Sequence, residues 1–339
     1  LTLFFEIAEY WAFKNAEEEG KLRDCGYLPS ELIEKQAQEV IERSHDVQLH
    51  IHPQWLGSRY VNGHWKLNRD YWRLSNLPHG LGNIHDMLSI KGVLHKGKKD
   101  LEDMLKRIDP TYQCVALRVG GWCIQPERHV IEAMNSVGLI ADTSVFKGGY
   151  VNSNRAYYDF RNAHANCGFW WCNRDNINQS LGSKGNILEI PIYSLFFPNN
   201  KKTIIRTLLR GLKRFYTPGE YLSASDSPSE SIMPRKGVSA KDIINYWCGR
   251  TPIKWDFCNL SYDDMILFLD KAMEEYKETN VCFPLVMIGH SKYFTNRRAF
   301  KKFLRNVTSN YVKSGVVEFS NMRDVIRQIT KTKGGYEIP

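Results

Sequence analysis

Short apolar runs alternate with longer amphipathic stretches along the chain. The apolar runs predict strands at 3–7, 46–51, 114–118, 139–142, 187–193, 253–257, 284–288 and 316–319. The amphipathic stretches predict helices at 29–43, 101–107, 126–137, 201–215, 240–247, 261–276, 296–309 and 321–329, and Ser261 with Asp264 forms a capping pattern. Strands that alternate with helices in this way favour parallel strands with helical crossovers, in an open doubly wound sheet or a barrel.

Two long segments interrupt this alternation, at about 53–110 and 217–239. The first is rich in Gly, His, Trp and Asn and the second in Ser, Pro and Gly, so both are predicted to be long excursions from one scaffold. No repeat or sharp change of composition marks a boundary, and we expect a single domain over residues 1–339. The chain opens at Leu1 in an apolar run without the pattern of a signal peptide, which suggests a strand whose preceding residues are lost.

Composition narrows the possible functions. With 339 residues, of which 42% are hydrophobic, the chain can bury a large core. Its net charge of +9 favours an anionic partner, but the basic residues are dispersed, and a nucleic-acid partner is not expected. No apolar run approaches the ~18 residues that span a bilayer. Eight cysteines without a Cys-x-x-Cys pair indicate thiols in a reducing compartment, and we expect a cytoplasmic protein of undetermined oligomeric state.

Two histidines lie at the end of the predicted strand 46–51. Side chains alternate between the faces of a strand, so His50 and His52 point the same way and can share one divalent cation. Pro53 ends the strand and places this pair at its exit. Neutral imidazoles suit zinc, and cobalt or nickel is also possible. The alternative is a pair of histidines that form hydrogen bonds beneath a loop.

Polar residues also follow other predicted strands. Arg118 has a fork geometry that can hold a carboxylate. In the segment that follows it, Gly121 lets the backbone approach a ligand, and Trp122 offers a flat face to a sugar ring. The alternative is that this segment is an ordinary surface turn. His290 follows the strand 284–288 and can act as an acid or base near pH 7. Asp142 can orient His290 and raise its pKa, or it can be a turn or cap residue.

The order of the segments LTLFFE, HDVQLHIHPQW, LRVGGW, GLIADTSV, LEIPIY and MIGHSK resembles the polysaccharide deacetylases of carbohydrate esterase family 4, the NodB-homology group. It is most similar to the bacterial exopolysaccharide-associated branch, over residues 1 to about 295. The resemblance implies an irregular parallel (β/α) barrel of the deacetylase type, here without its N-terminal strand. It also implies metal-dependent hydrolysis of acetyl groups, usually N-acetyl groups on the amino sugars of a polysaccharide or oligosaccharide substrate.

The resemblance also implies roles for individual residues. These are the metal ligands His50 and His52, the catalytic residues His290, Arg118 and Asp142, and the substrate-binding residues Trp122, Gly121 and Trp55. The family places its second ligand histidine four residues after the first, but position 54 is Gln, so His52 takes that role because it shares a face with His50. Arg118 would tether the catalytic base, His290 would be the general acid, and Asp159 competes with Asp142 as its orienting carboxylate.

The sequence departs from the family in its first motif, a Thr-Phe-Asp-Asp type segment that supplies the base and a metal-binding aspartate. It normally precedes the strand at 1–5, and nothing in this chain occupies its position. Glu6 and Glu9 follow that strand, but acidic residues there are commonly solvated or capping. We therefore expect weak metal affinity and little activity. The alternative function is a catalytically degenerate barrel that binds glycan through its tryptophans.

Overall fold

The computed structural model describes residues 1–166, 168–198, 250–277, 283–291 and 294–331. Its strands are β1 (Thr2–Glu6), β2 (Asp46–Ile51), β3 (Arg59–Val61), β4 (His64–Lys66), β5 (Ala116–Val119), β6 (Ala141–Asp142), β7 (Tyr150–Asn152), β8 (Tyr157–Asp159), β9 (Trp170–Asn173), β10 (Asn176–Ser180), β11 (Leu188–Glu189), β12 (Ser194–Pro198) and β13 (Arg250–Lys254). Its α-helices are α1 (Ile7–Glu18), α2 (Pro29–Glu42), α3 (Ile90–Leu105), α4 (Arg128–Val137), α5 (Tyr262–Glu275), α6 (Arg297–Val307) and α7 (Met322–Lys331).

The central element is a seven-stranded sheet in the order β1-β2-β5-β6-β11-β9-β10. The pairings from β1 to β11 are parallel, while β9 pairs antiparallel with both β11 and β10. Two parallel bridges, Ile192 to Val286 and Asp256 to Ile288, continue the pattern beyond β11. The expected α/β class with a mostly parallel sheet is confirmed, whereas closure of this sheet into a deacetylase-type barrel stays a prediction.

Several predicted elements differ from the observed ones. The stretch at 316–319 is not a strand, and Val316 and Phe319 are both 52% exposed. β13 starts earlier than expected and pairs antiparallel with β12. Helix α1 follows β1 directly and was not predicted. The helices expected at 201–215 and 240–247 lie outside the described residues.

Helix α3 is more than twice as long as predicted and lies within the expected excursion at 53–110. Its two glycines lower helix propensity, which hid the first turns from sequence analysis. At Gly97, an added Cβ would lie 3.1 Å from Leu49 and 3.3 Å from Ile7, so this glycine lets the helix pack closely on the sheet. The excursion after β2 therefore ends before α3, and the excursion at 217–239 lies outside the described residues.

Strand β2 is buried on both faces. Val47, Leu49 and Ile51 are fully buried in the main hydrophobic core. On the opposite face, Gln48 Oε1 accepts hydrogen bonds from the backbone N–H groups of residues 115 and 116, both at 2.8 Å. These bonds fix β2 beside β5, so that the carboxyl ends of the two strands lie together.

Five cysteines in the described ranges carry free thiols, and four of them are buried: Cys114, Cys123, Cys172 and Cys258, with Cys25 exposed. This agrees with the expectation of scattered thiols. Among the described residues, no helix is both long and apolar enough to cross a bilayer.

Candidate metal centre

The carboxyl ends of β1 and β2 bring three potential metal ligands together. The parallel register pairs Glu6 with His50, and His50 in turn pairs with Arg118 of β5. His52 lies two residues beyond His50, just after β2 ends. One ligand atom from each of Glu6, His50 and His52 lies within 4.8 Å of the others, so this group can hold a metal ion.

The carboxylate of Glu6 divides its two oxygens between backbone and imidazoles. Oε1 accepts hydrogen bonds from the backbone N–H of Ala8 at 3.2 Å and from that of His52 at 3.0 Å. Oε2 lies 2.5 Å from Nδ1 of His52 and 3.9 Å from Nε2 of His50. Glu6 therefore caps helix α1 and also faces both rings, so the expected capping role does not exclude a ligand role.

The backbone of β5 orients the His50 ring. Nδ1 of His50 lies 2.6 Å from the carbonyl oxygen of Arg118. A carbonyl only accepts hydrogen bonds, so Nδ1 carries the proton and the lone pair lies on Nε2, which faces Glu6. A hydrogen bond from the second ring nitrogen is the usual way in which proteins fix a metal-binding histidine.

Burial sets the protonation states at this site. It lowers the pKa of His50 to about 3, with a further contribution from the neighbouring His52. Burial alone would raise the pKa of the Glu6 carboxyl. The neighbouring His52 and His50 rings together have a larger effect, so the pKa of Glu6 is lowered. The site thus contains a neutral His50 and an ionised Glu6 at neutral pH, which are the forms that bind metal.

Close packing connects the histidine pair to the turn after β5. A Cβ added at Gly120 would lie 2.5 Å from Cδ2 of His52 and 2.7 Å from the carbonyl oxygen of Ile51, so only glycine fits there. Two residues later, the ring of Trp122 lies 6.1 Å from that of His290. The turn at 120–122 thus contacts His52 at one end and His290 at the other, which places both histidines near the same edge of the sheet.

Arg118 lies beside the metal centre, but its described side-chain contacts are with other groups. Its Nε and Nη2 donate to the carbonyl and hydroxyl oxygens of Thr143, both at 3.1 Å, and the guanidinium lies 4.1 Å from the ring centroid of Phe4. Burial lowers the pKa of Arg118 to about 10, against the opposing effects of Asp142 and Glu189. The structure thus shows this cation bound to Thr143, and the tethering of a catalytic base stays a prediction.

Asp142 is fully buried and binds its own turn. Its carboxylate accepts hydrogen bonds from the backbone N–H of Ser144 at 2.8 Å and from the Ser144 hydroxyl at 2.9 Å. Glu189 is its register neighbour on β11. These contacts match the turn-residue alternative, while the orienting role toward His290 stays untested. The competing Asp159 forms a two-bond ion pair with Arg161 at 2.9 and 2.6 Å.

The expected substrate-binding residues have different surroundings. Trp55 follows His52 in the short helical turn after β2, and its ring lies 6.3 Å from Phe13 and 5.3 Å from Trp65 in an aromatic cluster. Gly121 has a φ of +60°, which glycine tolerates, and a Cβ there would meet only ordinary contacts. The close packing at this turn is between Gly120 and His52, and the approach of the backbone to a ligand at Gly121 stays a prediction.

Glu6 is the residue whose importance the sequence understated. Its signal was present: it ends an apolar strand, and the carboxyl ends of neighbouring parallel strands meet at one edge of a sheet. What the sequence did not provide was the adjacency of β1 and β2, which puts Glu6 opposite His50. One Glu and two His as potential ligands resemble the ligand sets of catalytic zinc sites more than those of structural ones.

Scans against protein-family models, curated proteins and solved structures give no match to this chain.

Proposed function

We propose that the chain is a metal-dependent hydrolase that removes acetyl groups, principally N-acetyl groups on the amino sugars of a bacterial polysaccharide. The observation that carries the proposal is the grouping of Glu6, His50 and His52 at the carboxyl ends of two adjacent parallel strands. The order of sequence motifs that resembles the polysaccharide deacetylases supports the same chemistry.

In this proposal, Glu6 and the two histidines hold a divalent metal, for which zinc is the best match. A metal held there would polarise an acyl carbonyl and make an attacking water molecule acidic enough to lose its proton to solvent. The carbonyl of Arg118 keeps the His50 ring in position. His290 donates a proton to the leaving amine, and Trp122 places the sugar between His290 and the metal ligands.

The proposal is tested with the zinc-loaded full chain and N-acetylated oligosaccharides, with released acetate as the readout. His50→Ala and His290→Ala are expected to lower the rate of acetate release by at least about a hundredfold. His85→Ala is the matched control, because His85 is exposed in a distant segment of sequence and only its backbone N–H has a described hydrogen bond. An inactive zinc-loaded chain, or equal losses in all three variants, would contradict the proposal.

A second candidate is a glycan-binding protein without chemistry. It is favoured by a cluster of aromatic rings around Trp65, in the segment that follows His52. The ring centroid of Trp65 lies 5.1 Å from that of Phe13, 5.3 Å from that of Trp55 and 5.3 Å from that of Tyr60. Such rings offer stacking surface to sugars. Oligosaccharide binding that is lost in Trp65→Ala, without acetate release from the zinc-loaded protein, would favour this candidate.

A further inference from the structure

Helix α6 has an unusual division of charge. Five of its eleven residues are cationic and none is acidic. The cationic residues, all exposed, are Arg297, Arg298, Lys301, Lys302 and Arg305. At about 100° of rotation per residue they occupy one arc of about 140°, and they extend over about 12 Å of the helix. We call this arc the basic stripe of α6.

The opposite face of α6 is covered by protein. Phe303 and Val307 are buried in a second hydrophobic core with residues of α5 and β13. The ring of Phe300 stacks on Phe257 with a centroid distance of 4.3 Å, and the ring of Phe303 lies 5.9 Å from Trp255. Packing therefore fixes the orientation of the helix and holds the basic stripe toward solvent.

The stripe is not neutralised by the neighbouring elements. In the ranges that the structure describes, none of its five cations forms an ion pair. Four of the five carboxylates of α5 have other partners, and the fifth, Asp263, forms no described ion pair with the stripe: Asp264 binds Ser261, Glu274 binds Lys271, Asp270 accepts from Tyr311 and Glu275 accepts from Tyr276. Lys302 alone has a described side-chain contact, 3.9 Å from the ring centroid of Tyr262. Five like charges on one fixed face repel each other, and an anionic surface would relieve that repulsion.

We propose that the basic stripe of α6 docks the protein on an anionic membrane surface. Stripes of four to eight Lys and Arg residues on an amphipathic helix are the usual binding face for anionic lipids. The helix carries no exposed aromatic residue between its cations, so the stripe lacks the interleaved stacking rings with which proteins hold single-stranded nucleic acid. The nearest exposed ring, Phe294, packs edge-on against Phe257 and Phe300, which leaves its face without the free stacking surface that bases need. The attachment is peripheral and does not depend on the hydrolase proposal.

The test is sedimentation of the full chain with vesicles of phosphatidylcholine, with and without phosphatidylglycerol. We expect binding only to the anionic vesicles and its loss at high salt, because charges are screened over about 3 Å at 1 M salt. The variant Arg298→Gln/Lys301→Gln/Arg305→Gln removes three charges but keeps the contact of Lys302 with Tyr262 and the whole apolar face. We expect it to bind about a hundredfold more weakly.

A matched control separates the stripe from net charge. The variant Lys35→Gln/Lys66→Gln/Arg107→Gln loses the same charge at exposed positions on other elements, and we expect its affinity to fall by less than about threefold. Circular dichroism verifies the fold of both variants. Equal losses in the two variants, no binding to anionic vesicles, or stripe-dependent binding to an anionic polymer without binding to vesicles would each overturn the proposal.

Discussion

Glu6 Oε2 and His52 Nδ1 lie 2.5 Å apart although 46 positions separate the two residues in the chain. The parallel pairing of β1 with β2 brings them together, so the candidate ligands are positioned by sheet geometry rather than by a flexible loop. Burial holds the pKa of His50 at about 3, and the neighbouring histidines lower that of Glu6 against the effect of burial. These contacts lead us to expect stronger metal binding, and with it more activity, than the sequence alone suggested, because Glu6 offers the metal-binding carboxylate that the absent first motif would otherwise supply.

Gly120→Ala tests the packing of the turn at 120–122 on the metal centre. The new methyl group would lie 2.5 Å from the His52 ring and 2.7 Å from a backbone oxygen, so the ring must move. We expect a loss of about 1–3 kcal/mol of stability in urea unfolding, together with weaker zinc binding in calorimetry.

Gly138→Ala is the control for this substitution. Gly138 has a φ of +75° and open space around it, so alanine there costs backbone strain without a clash. We expect that variant to lose about 1 kcal/mol of stability and to keep its zinc affinity. Zinc binding by Gly120→Ala as tight as that of the unaltered protein would refute the assigned packing.

Arg118→Met separates the side chain of Arg118 from its backbone. The guanidinium donates two hydrogen bonds to Thr143, whereas His50 is held by the Arg118 carbonyl, which the substitution keeps. We expect the free energy of unfolding to fall by about 1–3 kcal/mol, with one zinc ion still bound per chain. The account of Arg118 fails if zinc binding is lost while stability is unchanged.

Glu189→Gln tests the buried carboxyl pair of β6 and β11. Burial, and then the neighbouring Asp142, raises the pKa of Glu189 well above its ordinary value of 4.5. Above about pH 4.5 the unfolded chain releases this proton while the folded protein retains it, so rising pH destabilises the folded state by up to about 1.4 kcal/mol per pH unit. Glutamine carries no such proton, so we expect the variant to gain stability relative to the parent as pH rises.

The readout is the difference in unfolding free energy between Glu189→Gln and the parent, measured without metal at about pH 5, 6 and 7. His50 also makes the stability depend on pH. Its pKa in the folded protein, about 3, lies below its ordinary value of 6.5, so the stability that neutral His50 contributes is lost as pH falls from 6.5 toward 3. That contribution is the same in both proteins and cancels in the difference. If the unfolding free energies of the two proteins instead change with pH in parallel, Glu189 is ionised in the folded protein and the prediction is wrong.

The sequence predicted the local parts of this structure better than the long-range ones. The pattern of β2 and the pair His50 and His52 followed from strand alternation alone, and the capping box of Ser261 with Asp264 is present at the start of α5. Helix α1 was missed because its buried positions include Trp11 and several alanines without a strong amphipathic pattern. The position of Glu6 depended on which strands pair, and no local pattern encodes that adjacency.

The same limit applies to the residues expected around the site. Arg118 and Asp142 were predicted correctly to lie near strand ends. The partner of Arg118, Thr143, follows a neighbouring strand, so strand order decides that contact. Asp142 instead binds Ser144 in its own turn, which is the local alternative that the sequence offered. The adjacency of Trp122 and His290 likewise joins two segments that are far apart in sequence, and no local pattern encodes it.

The most direct test of the metal centre is calorimetric titration of zinc into the metal-free full chain and into Glu6→Gln. Glutamine can keep the Oε1 acceptor for the N–H groups of Ala8 and His52, but it replaces the charged Oε2 that faces His52 Nδ1 with an amide nitrogen that does not bind metal. The account predicts one zinc ion per chain, bound more than about a hundredfold more weakly by the variant, since even second-shell changes cost ~10–100-fold. Equal zinc affinity in both proteins, or no zinc binding by the unaltered chain, would contradict it.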